Sequence, residues 1–211
     1  MNNKELKKIL LDNFGIKLST LGFDEKAKWQ SFVRAFHEGR EVVHLSFITL
    51  TYDKGFDVTI DIAIRFENVE KLINWDSDLL TEKEKKGSYT IWTILRYLSR
   101  KRLCKYSIYS EKDIWSVVDS LFEDYCELWE PFFNKYRLIK NVHALFSDMN
   151  NKEAWRYSTT HSNRAKKSIA IAYLLNQANI EEQISGWLIF LRDKEELGIN
   201  DFIAFSKRLN K

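Results

Sequence analysis

In this 211-residue chain the nearest approach to a reactive set lies on one alternating run, where Asp57 and Asp61 share a face. His44 and Ser46 stand on the β-prone run before it, close enough in register to flank Asp61. Two carboxylates and an imidazole would suit a divalent cation if they converged. Four residues along a strand span about 13 Å, too far for Asp57 and Asp61 to ligate one ion directly. The pair therefore reads as part of a solvated polar sheet face, and no metal or cofactor is expected. The four histidines, His37, His44, His143 and His161, never fall at metal-binding helical spacing, and there is neither a glycine-rich phosphate loop nor a nucleophile elbow. Cys104 and Cys126 have no second pair of cysteines with them, which points to reduced, packed thiols rather than a disulfide framework or a zinc site. No catalytic residue is assigned, and the chain leans away from enzymes.

A second pattern concerns binding. Between Leu95 and Lys105 the basic residues Arg96, Arg100, Lys101, Arg102 and Lys105 occur with no acidic residue, flanked by Trp92, Tyr97 and Tyr106. Cations interleaved with aromatics contact phosphates and stack on bases, so nucleic acid is one candidate partner. The stretch Glu111 to Glu130 carries seven acidic residues against one lysine, with Asp119, Glu123, Glu127 and Glu130 on its outward stripe. Lying close to the strip, it would neutralise much of that positive field. Trp115, at the edge of an apolar stripe, and Trp155, in a polar connector, are the aromatics expected at the surface, where tryptophan often anchors a partner. An alternative for Trp155 is a plug between two subregions.

These residues must be held by elements that the periodicities define. Val58, Ile60, Ile62, Ile64 and Phe66 alternate with polar positions, the pattern of a strand buried on one face. Val42 to Thr51 is a second strand, and Tyr52-Asp53-Lys54-Gly55 supplies a hairpin turn that pairs Ile60 with Phe47. Trp29 to Phe36 adds a third strand, Thr90 to Leu98 a fourth and Tyr106 to Tyr109 a fifth. A short helix over Lys4 to Phe14 ends at Gly15. Another covers Asn68 to Trp75, and Glu82 to Lys86 reads as an exposed connector. Ser110 and Asp113 open a long helix across the sheet, with Ile114, Val117, Val118, Leu121, Tyr125, Leu128 and Trp129 on one face, and Pro131 ends or kinks it. Polar Met149 to Asn163 marks a boundary. The helices beyond it include an enclosed segment at Ile169 to Leu175, a helix capped by Asn179 and Glu182, and a last one capped by Asn200.

The fold expected is therefore α+β: an antiparallel sheet of four or five strands with a long helix packed on it, followed by a C-terminal helical group. Residues 1–148 form the sheet-and-helix region and 149–211 the helical region, packed on the first as one unit. With 45% hydrophobic and 30% charged residues and only eight glycines and prolines together, the chain is a folded protein rather than a disordered one. A net charge of +3 is too small to mark a general polyanion binder. The apolar stretch near the start, Ile9-Leu10-Leu11, stops at Asp12, so neither a signal peptide nor a membrane contact is expected and the location is cytoplasmic.

Leu21-Gly22-Phe23, Phe32-Val33-Arg34, the hairpin from Val42 to Phe66 and the Trp115-bearing helix ending at Trp129-Glu130-Pro131-Phe132 together give residues 1–148 a pattern that resembles the bacterial 4304 domain-of-unknown-function family. The resemblance implies a sheet covered by helices and no known catalytic residues; the tail after Asn150 is not part of it. The functional expectation is a bacterial interaction protein, an immunity-type or accessory partner in a conflict system, with another protein as its partner. A nucleic-acid-associated factor using Arg96 to Lys105 is one alternative. An enzyme whose site gathers Asp61 with His44 or His161 is the other.

Overall fold

Asn2 and Glu5 start the first helix by capping each other: Glu5 N–H donates to the Asn2 side chain (3.0 Å) and Asn2 N–H to the Glu5 carboxylate (2.9 Å). This helix, α1, covers Asn3–Ser19 and runs straight through Gly15, where a helix end was expected. A Cβ on Gly15 would sit 3.0 Å from Phe32 Cε1, so glycine serves there as a notch for the neighbouring aromatic ring. The true stop is Gly22, at φ +84, where Phe23 N–H reaches back to Leu18 O and Gly22 N–H to Ser19 O.

The computed structural model describes residues 1–50, 55–74, 80–99, 105–158 and 160–209. After α1 come β1 (Asp24–Lys26), β2 (Ser31–Phe36), β3 (Gly39–Thr49), β4 (Phe56–Phe66), α2 (Glu67–Asn74), α3 (Glu82–Gly87), β5 (Ile91–Ile94) and α4 (Leu95–Leu98). Then follow β6 (Tyr106–Ile108), α5 (Glu111–Asp124), a π-helical turn (Tyr125–Trp129), α6 (Glu130–Tyr136), α7 (Ile139–Ser147), α8 (His161–Leu174), α9 (Ile180–Asp193) and α10 (Ile199–Leu209). The strands form one antiparallel sheet in the order β1-β2-β3-β4-β5, with β6 paired to β4. This is the α+β architecture that the alternation of β4 predicts.

Several elements depart from expectation for identifiable reasons. Leu50 N–H donates to Gly55 O (3.2 Å); of the turn expected at Tyr52 to Gly55, Tyr52, Asp53 and Lys54 lie outside the described residues. The charged connector is a helix, α3, because Thr81 and Glu84 form a capping box. The strand expected over Thr90 to Leu98 stops at Ile94 and turns into α4. Pro131 does not end the long helix. The wide π-helical turn before it, with Glu130 N–H bonded to Tyr125 O, relieves the clash that a proline ring makes with a regular helix. Asn179 makes no capping bond to α9, and Asn200 lies inside α10 rather than before it.

Two compact units emerge: Met1–Ile64 with Thr93–Asn134, and Arg65–Trp92 with Lys135–Lys211. In the first, α1 packs against α5, and Phe14 meets Phe32 and Trp129 edge-on, with ring centroids 5.5 and 6.2 Å apart. Phe56, Val58, Ile60, Ile62 and Ile64 are buried on one face of β4. In the second, α8 is the central element, contacted by α2, α7, α9 and α10. The segment 149–163, expected at a boundary, falls inside this unit, where α7 and α8 on its two sides pack together. Burial of α8 is centred on residues 164–172; Tyr173 and Leu175, expected to be enclosed, are exposed. Among the described residues no helix is long and apolar enough to cross a membrane.

Candidate functional site

The basic strip begins on α4 and ends beside β6. Arg96 is exposed, and Arg100, Lys101 and Arg102 lie outside the described residues. Lys105 is exposed but committed: its Nζ donates to Asp57 Oδ2 at 2.5 Å. Register places Asp57 opposite Ser107, whose hydroxyl donates to the other carboxylate oxygen at 2.6 Å. Asp57 is therefore buried rather than solvated, and the bonds from Lys105 and Ser107 hold its carboxyl below the usual carboxylate range. Arg65, on the same face, is buried too. Only Asp61 keeps the expected polar setting, with His44 Nδ1 3.4 Å from its carboxylate and both side chains about a third exposed. His161 belongs to the other unit. Among the described residues no group of three or more His, Cys, Asp or Glu side chains could hold a metal ion.

Glu111, Trp115, Asp119 and Glu123 of α5, with Glu127 of the π-helical turn that follows, are spaced i, i+4 in one ridge, and all five are exposed. Trp115 is 56% exposed, a large indole left in water among four carboxylates. Asp119 is met by Lys17 at 2.8 Å. Glu130, expected on this stripe, turns inward because the π-helical turn shifts the helix phase ahead of it. It accepts from Arg34 at 2.8 Å and from the Tyr125 hydroxyl. Arg34 also donates to the fully buried Glu41 and lies 4.6 Å from the Phe23 ring centroid, so this cluster is a satisfied internal brace. Burial, together with the bond to Glu130, pushes the Tyr125 phenol well above its ordinary range.

Trp155 is half-exposed and packs against His161, ring centroids 4.1 Å apart, while His161 meets Phe190 at 5.0 Å on its other side. Burial drives the His161 imidazole towards its neutral form.

One constellation escaped the sequence reading. Glu70, on α2 and 2% exposed, lies 2.5 Å from the Ser88 hydroxyl, 2.9 Å from that of Thr90 and 3.3 Å from Asn74 Nδ2, and each donates to it. The Arg65 guanidinium stands 3.9 Å away and is held by the carbonyls of Lys85 and Ser88 and by Glu67. Lys167 of α8 is buried too, at 3% exposed, and feels the Glu70 charge. Burial lowers its pKa in spite of that carboxylate. The only local signal was the polar spacing of Glu70 and Asn74 along one helix face, which is common on exposed helices. No family model, no curated protein and no solved structure matches this chain.

Proposed function

We propose that this chain is a recognition protein that binds another protein through the outer ridge of α5. The observation that carries the reading is Trp115, exposed at the second position of a ridge whose other four residues are acidic. An indole in that setting leaves its large apolar face in water and buries it only when something covers it. The carboxylates around it favour a partner with a basic surface and repel an acidic one. The same ridge repels nucleic acid, and Lys105, one end of the basic strip, is already engaged by Asp57. An immunity-type or accessory role in a bacterial conflict system is the form of recognition we favour, and kinship of residues 1–148 with the 4304 family belongs to the same proposal, since that family implies no catalytic set.

The test is capture from a lysate of the native host with the full chain, with W115A and the E123K/E127K double variant alongside. The expected result is a basic protein held by the wild type and lost from both variants, with binding that weakens as salt rises. Capture profiles that are indistinguishable among the three proteins would remove the proposal.

A further inference from the structure

In α1 and α5 the large apolar side chains left in water are Ile16, 65% exposed, and Trp115. The two helices, both in the first unit, run in the same direction. At the start of α1, Asn3 donates to Gly55 O (3.3 Å), and the next residue, Phe56, pairs with Ile108, just ahead of α5. Further along, Lys17 meets Asp119 at 2.8 Å and Phe14 meets Trp129. Charge is uneven along the exposed side of this pair. Lys4, Lys8 and Lys112 stand at its start with Glu111, since Glu5 is engaged in the cap of α1, whereas Glu123 and Glu127 stand beyond Asp119. At 1.5 Å per residue, Lys4 and Lys8 are centred about 16 Å before the level of the Lys17–Asp119 contact, and Glu123 and Glu127 about 9 Å beyond it. Their midpoint lies about 4 Å before that level, between Ile16 at about 2 Å and Trp115 at about 6 Å. The apolar pair thus sits halfway between a basic end and an acidic end.

We propose that a second copy of this chain covers this face, in a two-fold dimer centred on Ile16 and Trp115. Turning a copy over about a line through those two residues lays Lys4 and Lys8 of each chain against Glu123 and Glu127 of the other. The same operation sets the apolar residues of both copies together on the axis. One symmetry operator therefore satisfies both ends, as an isologous interface requires. A copy of this face is complementary along its whole length, whereas a uniformly basic surface matches only the α5 ridge. Two helices about 25 Å long and about 10 Å apart offer about 500 Å² per copy, or about 1,000 Å² in all, the low end for a specific association. The dimer is accordingly weak and reversible. This inference rests on the recognition reading of the ridge and adds a regulation to it, because a foreign partner reaches Trp115 only on the monomer.

The experiment is sedimentation equilibrium of the full chain at up to about 100 µM in about 50 mM salt, with K4E/K8E and E123K/E127K run singly and as an equimolar mixture. The wild type is expected to approach the mass of two chains and to dissociate as salt is raised about tenfold. Each double variant sets like charges against each other at both ends and should weaken the dimer by about tenfold or more. The mixture should associate again, since the mixed dimer keeps the native pairing at one end and carries it with reversed sign at the other. That recovery also shows that both variants are folded. A wild type that keeps the mass of one chain throughout, or a mixture no more associated than its components, would overturn the inference. The first result does so even where lysate capture succeeds, and a dimer recovered by mixing supports it even where lysate capture fails, so the two readings are separated.

Discussion

Replacing Lys167 by methionine separates the cost of burying an amine from the packing its stem provides. The substitution keeps the side chain unbranched and of similar length, and the two residues have nearly equal helix propensity. It leaves Glu70 with its bonds from Ser88, Thr90 and Asn74 and with Arg65 at 3.9 Å, so no carboxylate is stranded. Replacing buried charged groups by apolar side chains of similar volume is often neutral or stabilising by about 1–4 kcal/mol, provided no partner charge is left uncompensated. Because Glu70 stays compensated, K167M is expected in the upper part of that range, about 2–4 kcal/mol, or a melting temperature raised by about 5–15 °C for a chain of this size. The pH dependence follows from the direction of the shift. Burial lowers the folded-state pKa of Lys167, so between that value and the ordinary lysine range the unfolded chain binds more protons than the folded one. Wild-type stability therefore rises with pH through that window, and below it the full cost is present. K167M lacks the rise. The assay is urea unfolding of both proteins at a series of pH values up to 10. A destabilised K167M, or equal slopes for the two proteins, would refute the reasoning.

Two further substitutions test the packing of the second unit. A Cβ on Gly198 would fall 2.2 Å from Ser162 Oγ and 2.7 Å from Ser162 Cβ, so G198A should cost about 1–3 kcal/mol in thermal unfolding. S162G, which removes both atoms, should recover most of that loss, and an unchanged melting temperature for G198A would contradict the geometry. Arg164, 2% exposed, donates to the carbonyls of Phe146 (3.1 Å), Asn151 (3.4 Å) and Asp148 at the C-terminal end of α7. R164M strands these buried acceptors and should destabilise by about 3–5 kcal/mol, with hydrogen exchange accelerated first in α7. Equal protection of α7 in both proteins would show that the clamp is dispensable.

Elements governed by local rules were legible in the sequence, and those governed by distant contacts were not. The two-residue alternation from Val58 to Phe66 gave β4, and the Ser110–Asp113 box gave the start of α5, because each signal lies within a few residues of the element it builds. The Thr81–Glu84 box announced α3 in the same way, but the absence of an apolar stripe hid it. Gly15 looked like a stop because its function depends on Phe32, a residue of another element. The inward turn of Glu130 depends on a π-helical turn with no simple sequence period. Glu70 and Lys167 were missed for the same reason. Glu70 is buried by Ser88 and Thr90, eighteen and twenty residues away, and Lys167 by helices that close around α8 from both sides of the sequence. Of the expected binding residues, Trp115 stands exposed in the ridge proposed to meet a partner, and Trp155 is half-exposed and packs against His161.

The recognition account is tested most directly by titrating the captured partner against wild-type chain and W115A at two salt concentrations. A buried tryptophan anchor is commonly worth at least about 2 kcal/mol, so the account predicts W115A affinity weaker by about thirtyfold or more, alongside wild-type binding that falls with salt. Equal affinity for the two proteins, insensitive to salt, would contradict it.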